Sequence, residues 1–126
     1  MKGNHGIKKY FELAAKVAVL KKDRRSFYLG AVAVRGDGII VSASNGPAIM
    51  SGNEKNYFPK AHAEHRLCRK LTPGSVVYVV RVRRGDKKIC NARPCKTCQN
   101  AMRKRGVTKV IYSISPNEYG TMFFKR

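Results

Sequence analysis

Residues 62–98 have the sequence HAEHRLCRKLTPGSVVYVVRVRRGDKKICNARPCKTC. The apolar run 76–80 in its middle predicts a strand that is buried on both faces. Residues 62–71 predict a short helix, which ends ahead of a Thr-Pro-Gly sequence. Pro94 predicts the start of a second helix over 94–105, because the N–H that proline lacks has no partner in a helix's first turn. The stretch therefore predicts a helix–strand–helix unit.

The sequence on both sides of this unit predicts one more helix, from its helical spacing of apolar residues, and four more strands. These elements are the helix 6–22 and the strands 27–35, 39–44, 107–114 and 121–124. Gly36-Asp37-Gly38 predicts a hairpin between the first two strands, and Gly106 predicts the end of the helix over 94–105. Loops are expected over 45–60 and, with a basic composition, over 84–93. The order α-β-β-α-β-α-β-β predicts a three-layer α-β-α sandwich with a mixed five-stranded sheet, in a single domain over residues 1–126.

The two ends of the opening stretch, His62-Ala63-Glu64 and Pro94-Cys95-Lys96-Thr97-Cys98, carry the residue types of a catalytic zinc site. Such a site takes three protein ligands and leaves a fourth position for water. His62, Cys95 and Cys98 supply the three ligands, since cysteines three residues apart lie on one face of a helix. Glu64 is close enough in sequence to move protons to and from the water without binding the metal. We therefore expect Zn²⁺ as the cofactor.

Other interpretations of these cysteines remain open. A redox CxxC would need a thioredoxin-like βαβ context, and it would leave His62-Ala63-Glu64 without a role. A purely structural zinc would need a fourth protein ligand, and the nearest candidate, His65, points away from His62 on a helix. The remaining cysteines, Cys68 and Cys90, are expected to be small buried residues, with a second metal site as the alternative.

The charge of the chain is far from balanced. Lys and Arg number 27 against 7 Asp and Glu, which gives a net charge of +20. This excess predicts a polyanionic partner, either single-stranded nucleic acid or a phosphorylated nucleotide; a merely solvated basic surface is the alternative. No apolar run approaches the length of a membrane span, and residues 1–4 are too short and polar for a secretory signal. We therefore expect an intracellular, cytoplasmic protein without membrane contact.

The motif H-x-E…P-C-x-x-C, together with the predicted order of elements, resembles the cytidine deaminase superfamily, in particular its short cytidine and deoxycytidylate deaminase-like members. The resemblance covers nearly the whole chain. It implies zinc-dependent hydrolytic deamination of cytosine to uracil, with His62, Cys95 and Cys98 as the zinc ligands. In such enzymes a zinc-bound hydroxide attacks C4 of the base, and Glu64 would shuttle the protons.

The resemblance also implies contacts to the substrate. The backbone N–H of Ala63 would meet the pyrimidine carbonyl, and Asn45 would contact the sugar; a turn residue beside Gly46 is the alternative role for Asn45. One departure from the family pattern is Arg93, which stands directly before Pro-Cys where many relatives have Glu, Ser or Phe. Arg93 is interpreted either as a phosphate contact or as a solvated side chain.

Several substrates fit these features. Cytosine in single-stranded DNA or RNA is favoured by the charge and by Tyr57 and Phe58, which would stack on bases unless they only pin their loop. Free dCMP or cytidine is the first alternative, favoured by Asn45-Gly46, and adenosine in tRNA is the second. A nucleic-acid-binding module that retains zinc for stability is the non-enzymatic alternative, and the intact Glu64 argues against it. A homo-oligomer is left open, because relatives often form one.

Overall fold

The computed structural model describes residues 2–18, 27–44, 67, 70–83, 85, 86 and 88–124, which form two helices and a six-stranded sheet. The helices are α1 (Lys2–Ala18) and α2 (Lys96–Lys104), and the strands are β1 (Phe27–Val34), β2 (Ile40–Ser44), β3 (Val76–Arg83), β4 (Ile89–Cys90), β5 (Lys109–Ser115) and β6 (Glu118–Phe123). Because α1 and α2 pack on opposite faces of the sheet, the predicted three-layer α-β-α sandwich is confirmed. The sheet is mixed, as predicted, but it has six strands instead of five.

The strands lie in the order β2-β1-β3-β5-β6, and β4 pairs with the carboxyl end of β3. Among the described strands, β3 and β5 form the one parallel pair, and every other pair is antiparallel. A parallel pair needs a crossover connection, which here contains β4 and α2. Since a helix that returns from β3 to β5 runs against the strand direction, α2 begins at the sheet edge where both strands have their carboxyl ends.

The central strand β3 is buried on both faces, as its apolar sequence predicts. Val77 and Val79 face the α2 side, where they share a core cluster with Met102. Val80 and Val82 face the α1 side, in a cluster that contains Ala14, Val17, Ala18, Tyr28 and Val32. Burial of each valine contributes about 1.5–3 kcal/mol relative to exposure. Because two of these valines pack on each side, β3 stabilises the packing of both helices.

The short strand β4 lies in the segment 84–93, which the sequence predicts to be a basic loop. The Arg83 guanidinium donates to both carboxylate oxygens of Asp86, with Nε 3.0 Å from Oδ1, and the Lys88 N–H donates to Oδ1 at 3.0 Å. The bond from Arg83, and after it the bond from Lys88, hold the pKa of the Asp86 carboxyl below its ordinary value. These bonds close a tight turn, so the chain returns beside β3, and the two residues of β4 pair with Val82 and Arg81 of that strand.

The remaining differences concern the ends of elements. α1 begins at Lys2 and is described to Ala18, whereas the prediction is 6–22. β6 begins at Glu118 rather than at residue 121: the sequence predicts a turn over 115–120, but pairing with β5 extends into that segment and leaves only Pro116 and Asn117 between the strands. The predicted hairpin of β1 and β2 is confirmed, and α2 ends at its C-cap Arg105, directly before Gly106.

Some predicted features lie outside the described residues, namely the loop 45–60 and most of the helix 62–71. Of that helix segment the structure describes Leu67, Lys70 and Leu71, and both leucines are buried in the core on the α2 side. Over the part of the chain that the structure describes, neither helix is long and apolar enough to cross a membrane.

Gly30 on β1 lies against the backbone of α1. A Cβ at this position would overlap the Ala14 carbonyl oxygen and would lie 2.7 Å from the Ala18 backbone nitrogen. We therefore expect Gly30→Ala to displace α1 and to lower the free energy of unfolding by about 3 kcal/mol, measured by urea denaturation. Gly85→Ala is the matched control, because no atom of the described structure lies within 4 Å of its Cβ position. Equal stability of the two variants would refute this packing of α1.

Candidate functional site

Two of the predicted zinc ligands meet at the beginning of α2. Cys95 is the N-cap residue and Cys98 lies in the first turn, and their Sγ atoms are 3.4 Å apart. Two thiolates that bind one tetrahedral zinc at about 2.3 Å lie roughly 3.8 Å apart, whereas disulfide sulfurs are separated by about 2.05 Å. The observed distance therefore fits a shared metal ion rather than a disulfide. Cys95 is exposed and Cys98 is buried, so solvent reaches the pair from the side of Cys95.

The segment before α2 is held by hydrogen bonds of its own. Asn91 Oδ1 accepts from the Arg93 N–H at 2.8 Å, and Gln99 Nε2 donates to the Pro94 carbonyl at 2.8 Å. The Cys95 side chain makes no capping bond to the first turn of the helix. The backbone around the two thiols is therefore fixed without using the Cys95 sulfur as a cap.

Ser113 ties this segment to the carboxyl edge of β3 and β5. Its buried hydroxyl donates to the Cys90 carbonyl at 2.7 Å and accepts from the Arg81 N–H at 3.3 Å, while its own carbonyl accepts from the Ala92 N–H at 2.8 Å. In α/β sheets, ligands bind in crevices outside the carboxyl ends of the strands. The thiol pair thus lies where the topology favours a binding site.

Arg93 is positioned by contacts that sequence analysis missed. Its Nη1 donates to the Tyr112 hydroxyl at 3.2 Å, and its guanidinium carbon lies 5.9 Å from the centre of the Tyr112 ring. Gly120, paired with Tyr112 across β5 and β6, leaves room for that ring: a Cβ there would lie 2.5 Å from the Tyr112 hydroxyl oxygen. An exposed guanidinium is thereby held two residues before Cys95. No sequence signal connects Tyr112 or Gly120 to the site, because Tyr112 fits an ordinary strand position and Gly120 lies in a segment that the sequence predicts to be a turn.

The electrostatic environment at the start of α2 favours anions. The first turn contains no acidic residue, and the exposed side chains of Arg93 and Lys96 flank Cys95. The helix N-terminus adds a partial positive charge. Thiolates, a carboxylate or a phosphate would each be stabilised here.

Most other predicted site residues lie outside the described residues: His62, Ala63, Glu64, Asn45, Tyr57 and Phe58, together with Cys68. The assignments of all site residues stay predictions. Leu67, three positions after Glu64, belongs to the same core cluster as Cys98. Cys90 is half-buried on β4 rather than buried, and its Sγ donates to the Lys88 carbonyl at 3.5 Å, so its thiol is engaged separately from the Cys95–Cys98 pair.

Known structures with a similar fold are cytidine deaminases. The enzyme from Burkholderia pseudomallei matches with a TM-score of 0.66 and 20% identity, over 92% of this chain and 91% of that one. The Mycobacterium leprae enzyme matches with a TM-score of 0.57 and 18% identity, over 90% of this chain and 91% of that one. The Mycobacterium tuberculosis enzyme matches with a TM-score of 0.57 and 20% identity, over 89% of this chain and 86% of that one. At these identities the likeness establishes the fold alone.

Sequence comparison establishes the family. No curated protein sequence matches the chain significantly. Residues 5–114, however, match the family model described as the cytidine and deoxycytidylate deaminase zinc-binding region. This range contains both parts of the H-x-E…P-C-x-x-C motif. The cofactor of the family is Zn²⁺, and the spacing of the Cys95 and Cys98 thiols fits that ion. With a deaminase fold and a match over most of its length, this chain belongs to the family of zinc-binding cytidine and deoxycytidylate deaminases.

Proposed function

We propose that this chain hydrolyses the amino group of cytosine, to give uracil and ammonia, in single-stranded DNA or RNA. The observation that carries the substrate class is the excess of 27 basic over 7 acidic residues. A free monophosphate is neutralised by a few cations, whereas a polynucleotide presents one charge with every nucleotide.

The described surface supports this substrate class. α2 and its C-cap carry four exposed cations and no acidic residue: Lys96, Arg103, Lys104 and Arg105. Between described residues there are two ion pairs, Arg35 with Asp37 and Arg83 with Asp86, so few of the exposed cations have a carboxylate partner there. Uncompensated positive charge of this kind attracts phosphates and accelerates association with nucleic acid.

The proposed chemistry assigns a role to each residue of the motif. His62, Cys95 and Cys98 would hold the zinc, which supplies the Lewis acidity that makes water nucleophilic near neutral pH. Glu64 accepts the proton of the water that attacks C4 and delivers protons to N3 and to the departing amino group. The C4–N bond breaks, C4 gains the carbonyl oxygen, and ammonia leaves. Water is the co-substrate, and no oxidant is required.

The substrate-binding roles follow the same assignment. The Ala63 N–H donates to the pyrimidine carbonyl, Asn45 contacts the sugar, and Tyr57 and Phe58 stack on neighbouring bases. Arg93 contacts a phosphate next to the reacting nucleotide. The bond from Arg93 to Tyr112 supports this role of Arg93, because it fixes the guanidinium of a residue that stands two positions before Cys95.

A paired assay with the zinc-loaded protein tests the substrate class. One arm offers single-stranded DNA and RNA that contain cytosine; the other offers dCMP, CMP, cytidine and deoxycytidine. We expect conversion in the polymers, with binding that weakens about 300-fold between about 50 and 200 mM salt if about six phosphates of a single strand are contacted. Conversion of the monomers alone, with a flat salt response, would overturn the polynucleotide proposal.

Deamination of a free nucleotide is the second candidate, because the similar structures are cytidine deaminases and because one fixed arginine suits one phosphate. In the arm of the assay with free nucleotides and nucleosides, the variant Arg93→Gln tests whether Arg93 contacts the substrate phosphate or is only solvated. If Arg93 binds phosphate, the variant raises KM for dCMP and leaves KM for deoxycytidine unchanged. A transfer-RNA arm that reports inosine tests the third substrate, adenosine.

A further inference from the structure

An aromatic and basic surface lies on the face of β6 opposite α2. Gly120 and Met122 of β6 pair with Tyr112 and Val110, which face the α2 side. Because side chains alternate along a strand, Tyr119 and Phe123 project from the other face. Phe123 is 73% exposed, the largest value for a large apolar side chain in the described structure, and Tyr119 is 42% exposed.

Each of these rings has a defined neighbour. Lys109 pairs directly with Phe123 across β5 and β6, and its Nζ lies 5.8 Å from the centre of that ring. The Tyr119 ring lies 5.8 Å from the ring of Phe11 on α1, centre to centre, at an interplanar angle of 53°. Lys8, three residues before Phe11 on the same side of α1, is exposed. This surface therefore combines three aromatic rings with two ammonium groups.

We propose that these five residues, Phe11, Lys8, Tyr119, Phe123 and Lys109, form a platform that stacks the bases of single-stranded nucleic acid outside the catalytic centre. Aromatic rings between cations are the means by which proteins hold single strands without reading their sequence. The proposal rests on the proposed substrate class, and it adds a binding surface on the opposite side of the sheet from the thiol pair.

Charge identifies nucleic acid as the occupant rather than a second copy of this chain. A chain with a net charge of +20 repels its own copies, and the cations of the platform would face their equivalents across a symmetric contact. Two acidic residues adjoin the platform in sequence: Glu12, exposed beside Phe11 on α1, and Glu118, which precedes Tyr119 and accepts from Ser115 Oγ at 3.1 Å. A polyanion meets no such repulsion. Tyr119 and Phe123, four residues apart on one strand, are separated by roughly 13 Å, which leaves room for separately stacked bases.

The test measures binding of the full, zinc-loaded chain to a fluorescein-labelled oligo(dT) of about 16 nucleotides by fluorescence anisotropy. Oligo(dT) contains no cytosine, so the measurement does not depend on catalytic recognition. We expect Phe123→Ala and Tyr119→Ala each to weaken binding about tenfold, since stacking of one base has that magnitude. Ile40→Ala, on the edge strand β2 and 45% exposed, is the matched control with an expected change below about twofold.

A second variant reports stacking directly. The chain contains no tryptophan, so the emission of Phe123→Trp, excited at a wavelength that tyrosine does not absorb, reports that position alone. We expect oligo(dT) to quench this emission at low salt and to release it at high salt. Unquenched emission, or alanine variants that bind like the control, would overturn the platform. A change of oligomeric state in Phe123→Ala without loss of binding would overturn it too, in favour of a contact between copies.

The platform and the proposed substrate class can fail separately. If Phe123→Ala weakens oligo(dT) binding while only free nucleotides are deaminated, the platform stands and the polynucleotide substrate is wrong. If cytosine in polymers is deaminated and Phe123→Ala binds unchanged, the platform alone is wrong.

Discussion

Glu64→Gln abolishes deamination and leaves one zinc ion bound to each chain. This is the expected result, because the amide keeps the size of the side chain but neither accepts the proton of the attacking water nor delivers protons to the base. Loss of a general acid–base group lowers kcat by about 10²–10⁴-fold. Ammonia release measures the activity, and elemental analysis of the purified protein measures zinc content.

The control for this variant is Glu12→Gln, which changes an exposed carboxylate on α1 away from the proposed chemistry. We expect its kcat and its zinc content to equal those of the unmodified protein. Full activity of Glu64→Gln would refute the proton-transfer role. Loss of zinc in Glu64→Gln would make Glu64 part of the metal site instead.

Cys95→Ala and Cys98→Ala lose the metal. The two sulfurs are 3.4 Å apart at the start of α2, and removal of either thiolate leaves too few protein ligands for a stable catalytic zinc site. We expect zinc affinity to fall by more than about 10²-fold, which exceeds the usual effect of a residue outside the ligand set. Both variants should also unfold at lower temperature, since metal that binds only the native state stabilises it.

Cobalt makes this prediction specific to the ligands. In the Co²⁺-loaded protein, the charge-transfer absorption from thiolate to metal should decrease by about half in each single variant that still binds the ion, since two cysteines are assigned. Cys90→Ala is the matched control, because its thiol donates to the Lys88 carbonyl and lies outside the pair. Undiminished zinc content and cobalt absorption in Cys95→Ala would refute the assignment.

The arrangement of the fold was largely predictable from local sequence. The apolar run of β3 predicts burial on both faces, because a strand exposes alternate residues to both sides whatever its neighbours are. Gly36-Asp37-Gly38 similarly predicts the hairpin of β1 and β2. The strand β4 and the early start of β6 were missed, because both depend on pairing with β3 and β5. Two residues of β4 carry no period that a sequence pattern could reveal.

The chemistry of the site was determined by the sequence: the CxxC after a proline and the H-x-E motif indicate a zinc deaminase before any coordinates are known, since ligand type and spacing along a helix are local properties. The tertiary structure decided the rest. It holds the Arg93 guanidinium on the Tyr112 hydroxyl, where Gly120 of the neighbouring strand leaves room for the ring, and it places Phe123 beside Lys109. Both arrangements join residues that are distant in sequence, so their contacts arise only when sheet register and helix packing are set together.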